Sequence, residues 1–214
     1  MIRSAGILMH ITSLPSKYGI GTLGKEAYKF VDFLAKSGQS YWQVLPLNPT
    51  SYGDSPYQSS SVFAYNQYLI DLDMLHEMGL LKPRDYKKEY YGNNDLDVDY
   101  ANMFIVRNRV LKKTWPRHEL YKKEFNKFKK ENSSWLDSFA LYESIKESFN
   151  YTPWYEWNDS YRLRDDKTIK KYIKNNKDDI EYRKFIQFLF YYQWIKLKKY
   201  ANSKNIQLNI RIAE

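Results

Sequence analysis

A short apolar run, an amphipathic stretch and a second short apolar run, all within residues 6–47, constrain this 214-residue chain more than any other feature. Gly6-Ile7-Leu8-Met9-His10-Ile11 is followed by Thr12-Ser13-Leu14-Pro15-Ser16, the pattern of a strand buried on both faces and ended by turn formers. From Lys25 to Ser37, the residues Ala27, Phe30, Val31 and Leu34 recur at i, i+3, i+4 and i+7, giving a helix with one apolar face that Gly38 ends. Tyr41-Trp42-Gln43-Val44-Leu45-Pro46-Leu47 reads as a second strand. Strand, helix, strand in about 40 residues is a βαβ unit, whose strands should run parallel through a right-handed crossover.

A helix-sized apolar segment follows around Leu69 to Leu80, closing at Gly79-Leu80-Leu81. After Lys82-Pro83 the pattern turns to long, polar, helical segments. The expected organisation is therefore first βα units over residues 1–81, a mainly helical insertion over 82–177, and a helix leading to a further strand over 178–214. The last helix has the clearest period: from Asp178 to Ala201, the residues Tyr182, Ile186, Leu189, Phe190, Gln193, Trp194, Leu197 and Ala201 trace one stripe, with Lys184, Lys196, Lys198 and Lys199 largely off it. Tyr151-Thr152-Pro153-Trp154-Tyr155-Glu156-Trp157 reads as an aromatic loop, either a sugar-stacking surface or an anchor for the insertion.

Composition narrows the function classes. With 43% hydrophobic, 18% aromatic and 28% charged residues, the chain is neither disordered nor collagen-like, and the absence of cysteine excludes a disulfide framework, a thiolate nucleophile and a Cys-based zinc site. His10, His76 and His118 are too scattered for a metal cluster. No run approaches the roughly 20 apolar residues of a membrane span, and the N-terminus lacks a signal-peptide pattern, so a cytoplasmic enzyme without membrane contact is expected. The net charge of +9 is uneven: residues 1–81 hold 5 basic and 6 acidic residues, whereas 82–214 hold 29 and 19. There the pairs Lys112-Lys113, Lys122-Lys123 and Lys129-Lys130 recur beside Glu and Asn, as solvated helix faces do, so nucleic acid is not the expected partner.

The segment Asn48-Pro49-Thr50-Ser51-Tyr52-Gly53-Asp54-Ser55-Pro56-Tyr57-Gln58-Ser59-Ser60-Ser61 carries the most functional information, because it leaves the C-terminal end of a strand. That end is where parallel α/β architectures bind substrates. Gly53 and Pro56 set a tight path, Tyr52 and Tyr57 supply rings, and Asp54, Ser55 and Gln58 supply hydrogen-bond groups. The mixture suits a sugar, whose apolar CH face packs on a ring and whose hydroxyls need partners once water is excluded. A surface turn has much the same composition, so from chemistry alone both readings stand.

Gly6 to Gly24, reading GILMHITSLPSKYGIGTLG, and Tyr41 to Gln58, reading YWQVLPLNPTSYGDSPYQ, resemble the opening of the 4-α-glucanotransferases called amylomaltase or disproportionating enzyme. The likeness continues through Val62-Phe63-Ala64-Tyr65-Asn66 and Tyr68-Leu69-Ile70-Asp71-Leu72. It is weak across the insertion, and strong again from Pro153-Trp154-Tyr155-Glu156-Trp157 to Phe188-Leu189-Phe190-Tyr191-Tyr192-Gln193-Trp194. Ile11 stands where the family usually has Pro, Asn48 where it usually has Gly, and Tyr65 where Gly is common.

The resemblance implies a TIM (β/α)8 barrel with helical insertions, present here as an incomplete N-terminal portion, that transfers segments of α-1,4-glucans (maltodextrins) to the 4-hydroxyl of an acceptor sugar. It also implies a retaining mechanism, with one carboxylate as nucleophile and a second carboxyl group about 5 to 5.5 Å away as acid and base, and no metal or organic cofactor. Tyr57 would lie in the cleft against glucan, Tyr52 in the loop that shapes it, with Asp54 and Ser55 as hydrogen-bonding candidates. No position matches the family's catalytic motifs, which lie on later strands, so the catalytic residues are expected downstream of residue 214. After Lys204-Asn205-Ile206-Gln207-Leu208 the family continues into a third strand with a Gly-Asp-Ile-Pro-like segment; this chain reads Asn209-Ile210-Arg211-Ile212-Ala213-Glu214, the expectation being a truncated or frameshifted transferase. A complete barrel takes about 250 residues, so the expected fragment has exposed edges and uncovered apolar faces. Two other classes remain: a non-catalytic maltodextrin-binding module using Tyr52, Tyr57 and the Trp154 loop, and a basic nucleic-acid binder with steeply salt-dependent affinity. Purified 214-residue chain incubated with maltotriose is expected to give no disproportionation products; measurable turnover would overturn the inactive-fragment reading.

Overall fold

The computed structural model describes residues 3–51, 53–92 and 97–210. Strands β1 (Gly6–Leu8), β2 (Tyr41–Val44) and β3 (Gln207–Ile210) form one parallel sheet in the order β1-β2-β3. Trp42 is opposite Ile7 on one side and Leu208 on the other, while Tyr41 is opposite Gly6 and Gln207. Alternation along the strands therefore sets Ile7, Trp42 and Leu208 on one face and Gly6, Leu8, Tyr41, Gln43, Gln207 and Asn209 on the other. Trp42 is buried, and Phe30 of helix α1 (Lys25–Lys36) meets its ring edge to face at 4.9 Å. Leu8 remains 47% exposed.

The first strand is thus shorter than its apolar run and is not buried on both faces. It lies at the sheet edge with no strand beyond it among the described residues, and only His10 and Ile11, in the turn that follows, are buried. The second strand stops before Pro46, which has no N–H for the ladder. The apolar segment at 69–80 is likewise broken. Gln67–Leu69 is one turn of 3-10 helix, and helix α2 (Leu72–Glu77) begins afresh after Asp71, whose carboxylate accepts the Met74 amide at 2.8 Å.

Helices α3 (Tyr100–Lys112), α4 (Lys122–Glu131), α5 (Leu136–Ser148), α6 (Asp159–Arg162), α7 (Asp166–Asn175) and α8 (Lys177–Ser203) fill the stretch between β2 and β3. The chain divides into two compact units, residues 1–120 with 189–214 and residues 121–188. Every member of the stripe predicted on α8 is buried, and Phe185, Gln187 and Phe188 are buried too, so the middle of that helix is enclosed all round. In the 121–188 unit Ala140, Leu141, Ile145, Trp157, Ile169, Tyr172 and Ile180 make one core. Trp157 stacks on Phe149 at 5.4 Å and donates its indole N–H to the Thr152 carbonyl, so this ring of the aromatic loop is structural, whereas Trp154 and Tyr155 are exposed. Of the recurring lysine pairs, Lys112, Lys122, Lys123 and Lys130 are exposed as expected of helix faces. Lys113 instead bonds the Asp85 carbonyl and Glu89, and Lys129 pairs with Glu181 at 2.7 Å.

In the sheet-bearing unit, Asp71 is the junction. Its carboxylate accepts the Thr22 hydroxyl at 2.6 Å and the Met74 amide. Its own amide donates to Gln193 Oε1 at 2.7 Å, and its carbonyl accepts from Gln193 Nε2 at 3.0 Å. A Cβ on Gly24, at the start of α1, would stand 2.0 Å from Asp71 Oδ2, so only glycine admits the carboxylate there. Next to it, Asp73 accepts the hydroxyls of Tyr18 and Tyr86 at 2.8 and 2.6 Å, and burial with these bonds raises both phenols above their ordinary pKa. Asp71→Ala is expected to destabilise the chain by about 2–3 kcal/mol, through the lost helix cap at Met74 and the buried Thr22 hydroxyl left without its acceptor. Asp71→Asn keeps an acceptor for Met74 and should cost less, and urea midpoints of the two variants check the order.

Candidate functional site

The parallel sheet puts the segments that follow β1 and β2 at one end of it. After β1, the Trp42 indole N–H donates to the Met9 carbonyl at 2.7 Å and the Met9 amide to the Gln43 carbonyl at 3.0 Å. These bonds hold the strand end and deliver His10 into a buried position, where its Nδ1 has no hydrogen-bond partner. After β2 comes the long loop. Chains of this length without regular structure are either functional or disordered, and here the loop is held by specific bonds.

Residue by residue, the described part of the loop forms a small hairpin. Thr50 and Ser59 form an antiparallel bridge, and the Ser51 amide donates to the Gln58 carbonyl at 2.9 Å. Gly53 and Asp54 both take left-handed backbone, with φ of 87° and 54°; glycine makes the first easy and a short Asp side chain tolerates the second. The Asp54 carboxylate accepts the Thr50 hydroxyl at 3.2 Å, and the Asp54 amide donates to the Ser51 carbonyl. Ser55 Oγ accepts the Tyr57 amide at 3.3 Å, and its carbonyl accepts the Gln58 amide. The outcome is a turn in which Asp54 and Ser55 shape the backbone while the Tyr57 side chain stands 48% exposed. Tyr52, the other ring expected here, lies outside the described residues. So do Arg211, Ile212, Ala213 and Glu214, where a departure from the family's third strand is expected.

Three further residues bear on this loop. Asn48 Nδ2 donates to the Ala64 carbonyl at 3.0 Å, and the Asn66 amide donates to the Leu47 carbonyl at 2.8 Å, so the loop is closed at its neck. Tyr65 stacks on Phe190 of α8, centroids 4.6 Å apart and planes within 5°. Tyr100, the first residue of α3, has its phenol raised above the ordinary pKa by burial and further by the negative charge of Asp54, which brings α3 to the loop's side. Only Asn48 and Tyr65 had a sequence signal, as departures from the residues usual in the resembled family. Among the described residues no group of three or more His, Cys, Asp or Glu is arranged to hold a metal, and no helix is long and apolar enough to cross a membrane.

Burial pushes the His10 imidazole down to about 4 from its ordinary 6.5. Between those values the unfolded chain binds a proton that the folded chain refuses, so this group's effect on stability is flat above pH 6.5 and grows more unfavourable as pH falls toward 4. The loss reaches about 3 kcal/mol at the low end. Urea unfolding across pH 4 to 7 is expected to show it, and His10→Gln should flatten that part of the profile.

The profile of the 4-alpha-glucanotransferase family, glycoside hydrolase family 77, matches residues 9–213. A 4-alpha-glucanotransferase of Clostridium butyricum is 48% identical over 201 residues, which cover 94% of this chain and 41% of the relative. That of Aquifex aeolicus is 44% identical over 209 residues, 97% of this chain and 42% of the relative. Among solved structures, the amylomaltase of Streptococcus agalactiae in complex with acarbose superposes with a TM-score of 0.92 at 42% identity, covering 98% of this chain and 43% of that one. The amylomaltase of Corynebacterium glutamicum shares the fold, with a TM-score of 0.66 at 17% identity, covering 98% of this chain and 30% of that one. This chain therefore spans about two fifths of the length of the curated relatives it matches. A match over almost all of its residues, on a sheet and loop built as described, makes the chain a member of the 4-alpha-glucanotransferase family.

Proposed function

We propose that this chain takes part in the transfer of α-1,4-glucan segments to the 4-hydroxyl of an acceptor sugar, and that its own contribution is a glucan-binding surface on the loop after β2. The observation that carries the reading is the half-exposed Tyr57 ring, raised from a turn that Thr50, Asp54, Ser55 and Gln58 hold by hydrogen bonds, at the sheet end from which substrates are approached. A pyranose laid on that ring hides its CH face, and hydroxyl groups of Ser55 and the Asp54 carboxylate stand nearby in the chain to meet its polar rim. Tyr52 completes the surface in this reading. The relative solved with acarbose supports a sugar-like ligand.

In the finer fold reading, β1, β2 and β3 are consecutive strands of a (β/α)8 barrel. Residues 1–81 are its first βα units, 82–177 a mainly helical insertion, and 178–214 the helix and the strand that follow. A parallel sheet in sequence order, with helix α1 on one face, supports this. The reaction is read as a retaining double displacement in which the carboxyl pair is contributed by later barrel strands; no metal or organic cofactor enters it. The setting is the cytoplasm. Transfer rather than hydrolysis follows where an acceptor hydroxyl is positioned better than water.

Calorimetric titration with maltoheptaose tests the binding surface. The 214-residue chain is expected to bind, and Tyr57→Ala to weaken the affinity by about tenfold or more, the effect of removing one ring from a stacking contact. Equal affinity in the variant would remove the reading.

A further inference from the structure

We propose that Asn48 and Tyr65 are positioning residues, a two-point brace that holds the loop of residues 49–64 in the conformation that binds glucan; the binding half of this proposal rests on the site reading given above. Among the described residues the two arms of the loop are joined by the Thr50–Ser59 bridge and the Ser51 to Gln58 hydrogen bond, and Ser59, Ser60, Val62 and Phe63 are exposed. A hairpin this short is marginal in water by itself. Its order must come from the neck.

At the neck two kinds of contact act from opposite strands of the loop. On the incoming side, Asn48 donates its side-chain amide to the Ala64 carbonyl at 3.0 Å, one bond outside the hairpin and next to the main-chain bond from Asn66 to Leu47. On the outgoing side, Tyr65 lays its ring flat against Phe190, a fully buried residue of α8. Ala64 between them is fully buried. The asparagine thus fixes the separation of the two loop arms, and the tyrosine fixes the pair to the most enclosed helix of the fold. Both groups are engaged at the neck, Asn48 with Ala64 and Tyr65 with Phe190, so the role assigned to them is to hold the loop rather than to touch the sugar. What they set is the fraction of molecules in which the hairpin is closed, and a ligand that binds only the closed form loses affinity in proportion as that fraction falls.

The test pairs amide hydrogen exchange with maltoheptaose titration on the full 214-residue chain. In Asn48→Ala, exchange at the Ser51, Asp54, Gln58 and Asn66 amides, each hydrogen-bonded in the closed loop, is expected to quicken by about five- to tenfold, with β2 and α8 amides unchanged. Maltoheptaose affinity is expected to fall several-fold in the same variant. Tyr65→Leu should do both, and Tyr65→Phe, which keeps the stacked ring, should do neither. Unchanged loop exchange in both Asn48→Ala and Tyr65→Leu overturns the brace. Faster loop exchange with unchanged affinity overturns its role in binding and leaves Asn48 and Tyr65 as structural residues. Tyr57→Ala separates the two readings: if it binds as tightly as the parent, the glucan surface is elsewhere, while the exchange data still decide whether the brace exists.

Discussion

The sheet-bearing unit depends on one buried carboxylate. Asp71 caps α2, takes the Thr22 hydroxyl from the loop before α1, and is clamped on its main chain by Gln193 from the long helix. The cap is local, but the bonds to Thr22 and Gln193 join elements far apart in sequence, and each satisfies a polar group that burial would otherwise leave without water. The carboxylate fits only because Gly24 has no side chain. Removing this junction would take away the buried polar bonds that tie α2 to the loop before α1 and to α8, and apolar contact fixes a layer better than its register.

The same unit handles its buried cation differently. Arg107 is fully buried, with one guanidinium bond to the Ile70 carbonyl at 3.1 Å, and burial lowers its pKa to about 10, an effect that nearby Tyr91 and Asp71 partly offset. It is tied into the same patch of Tyr18, Tyr86, Tyr91 and Asp73 that surrounds the Asp71 junction. Buried acid and buried cation in this unit are thus met by neighbouring hydroxyl, amide and carbonyl groups.

How much of this was legible in the sequence varies with the physics behind each feature. Periodicity revealed α1 and α8, because a helix that must bury one face repeats its apolar residues every turn, and the α8 stripe is buried at every predicted position. The apolar run 6–11 misled about burial, since an apolar strand reads the same whether it lies in the middle of a sheet or at its edge, and β1 is an edge strand. The segment 69–80 read as one helix because an apolar pattern does not reveal where a capping Asp71 will restart the chain. Gln193 stood out as a polar residue in an apolar stripe, yet its partner, the Asp71 main chain, is 122 positions away and could not be read from local pattern. Composition and resemblance together marked Tyr57 as a candidate, and its ring stands exposed. Asn48 and Tyr65 stood out only as departures from the resembled family, and the neck they make with Ala64 could not be read, because a side-chain amide to carbonyl bond across a loop leaves no periodic trace.

By itself the sequence determined the local choices: the apolar faces of α1 and α8, the βα order of the first units, the absence of cysteine from these 214 residues, and which family the motifs resemble. Local pattern suffices there because period, turn chemistry and composition act over a few residues at a time. Tertiary structure alone decided which groups meet. It decided that Trp157 fills a core while Trp154 and Tyr155 face solvent, that Asp54 and Ser55 bend the loop while Tyr57 stands out from it, and that Asp71 and Gln193 find one another. Those outcomes depend on distances between residues remote in the chain, and on whether a buried polar group finds a partner, which is settled only when the chain is packed.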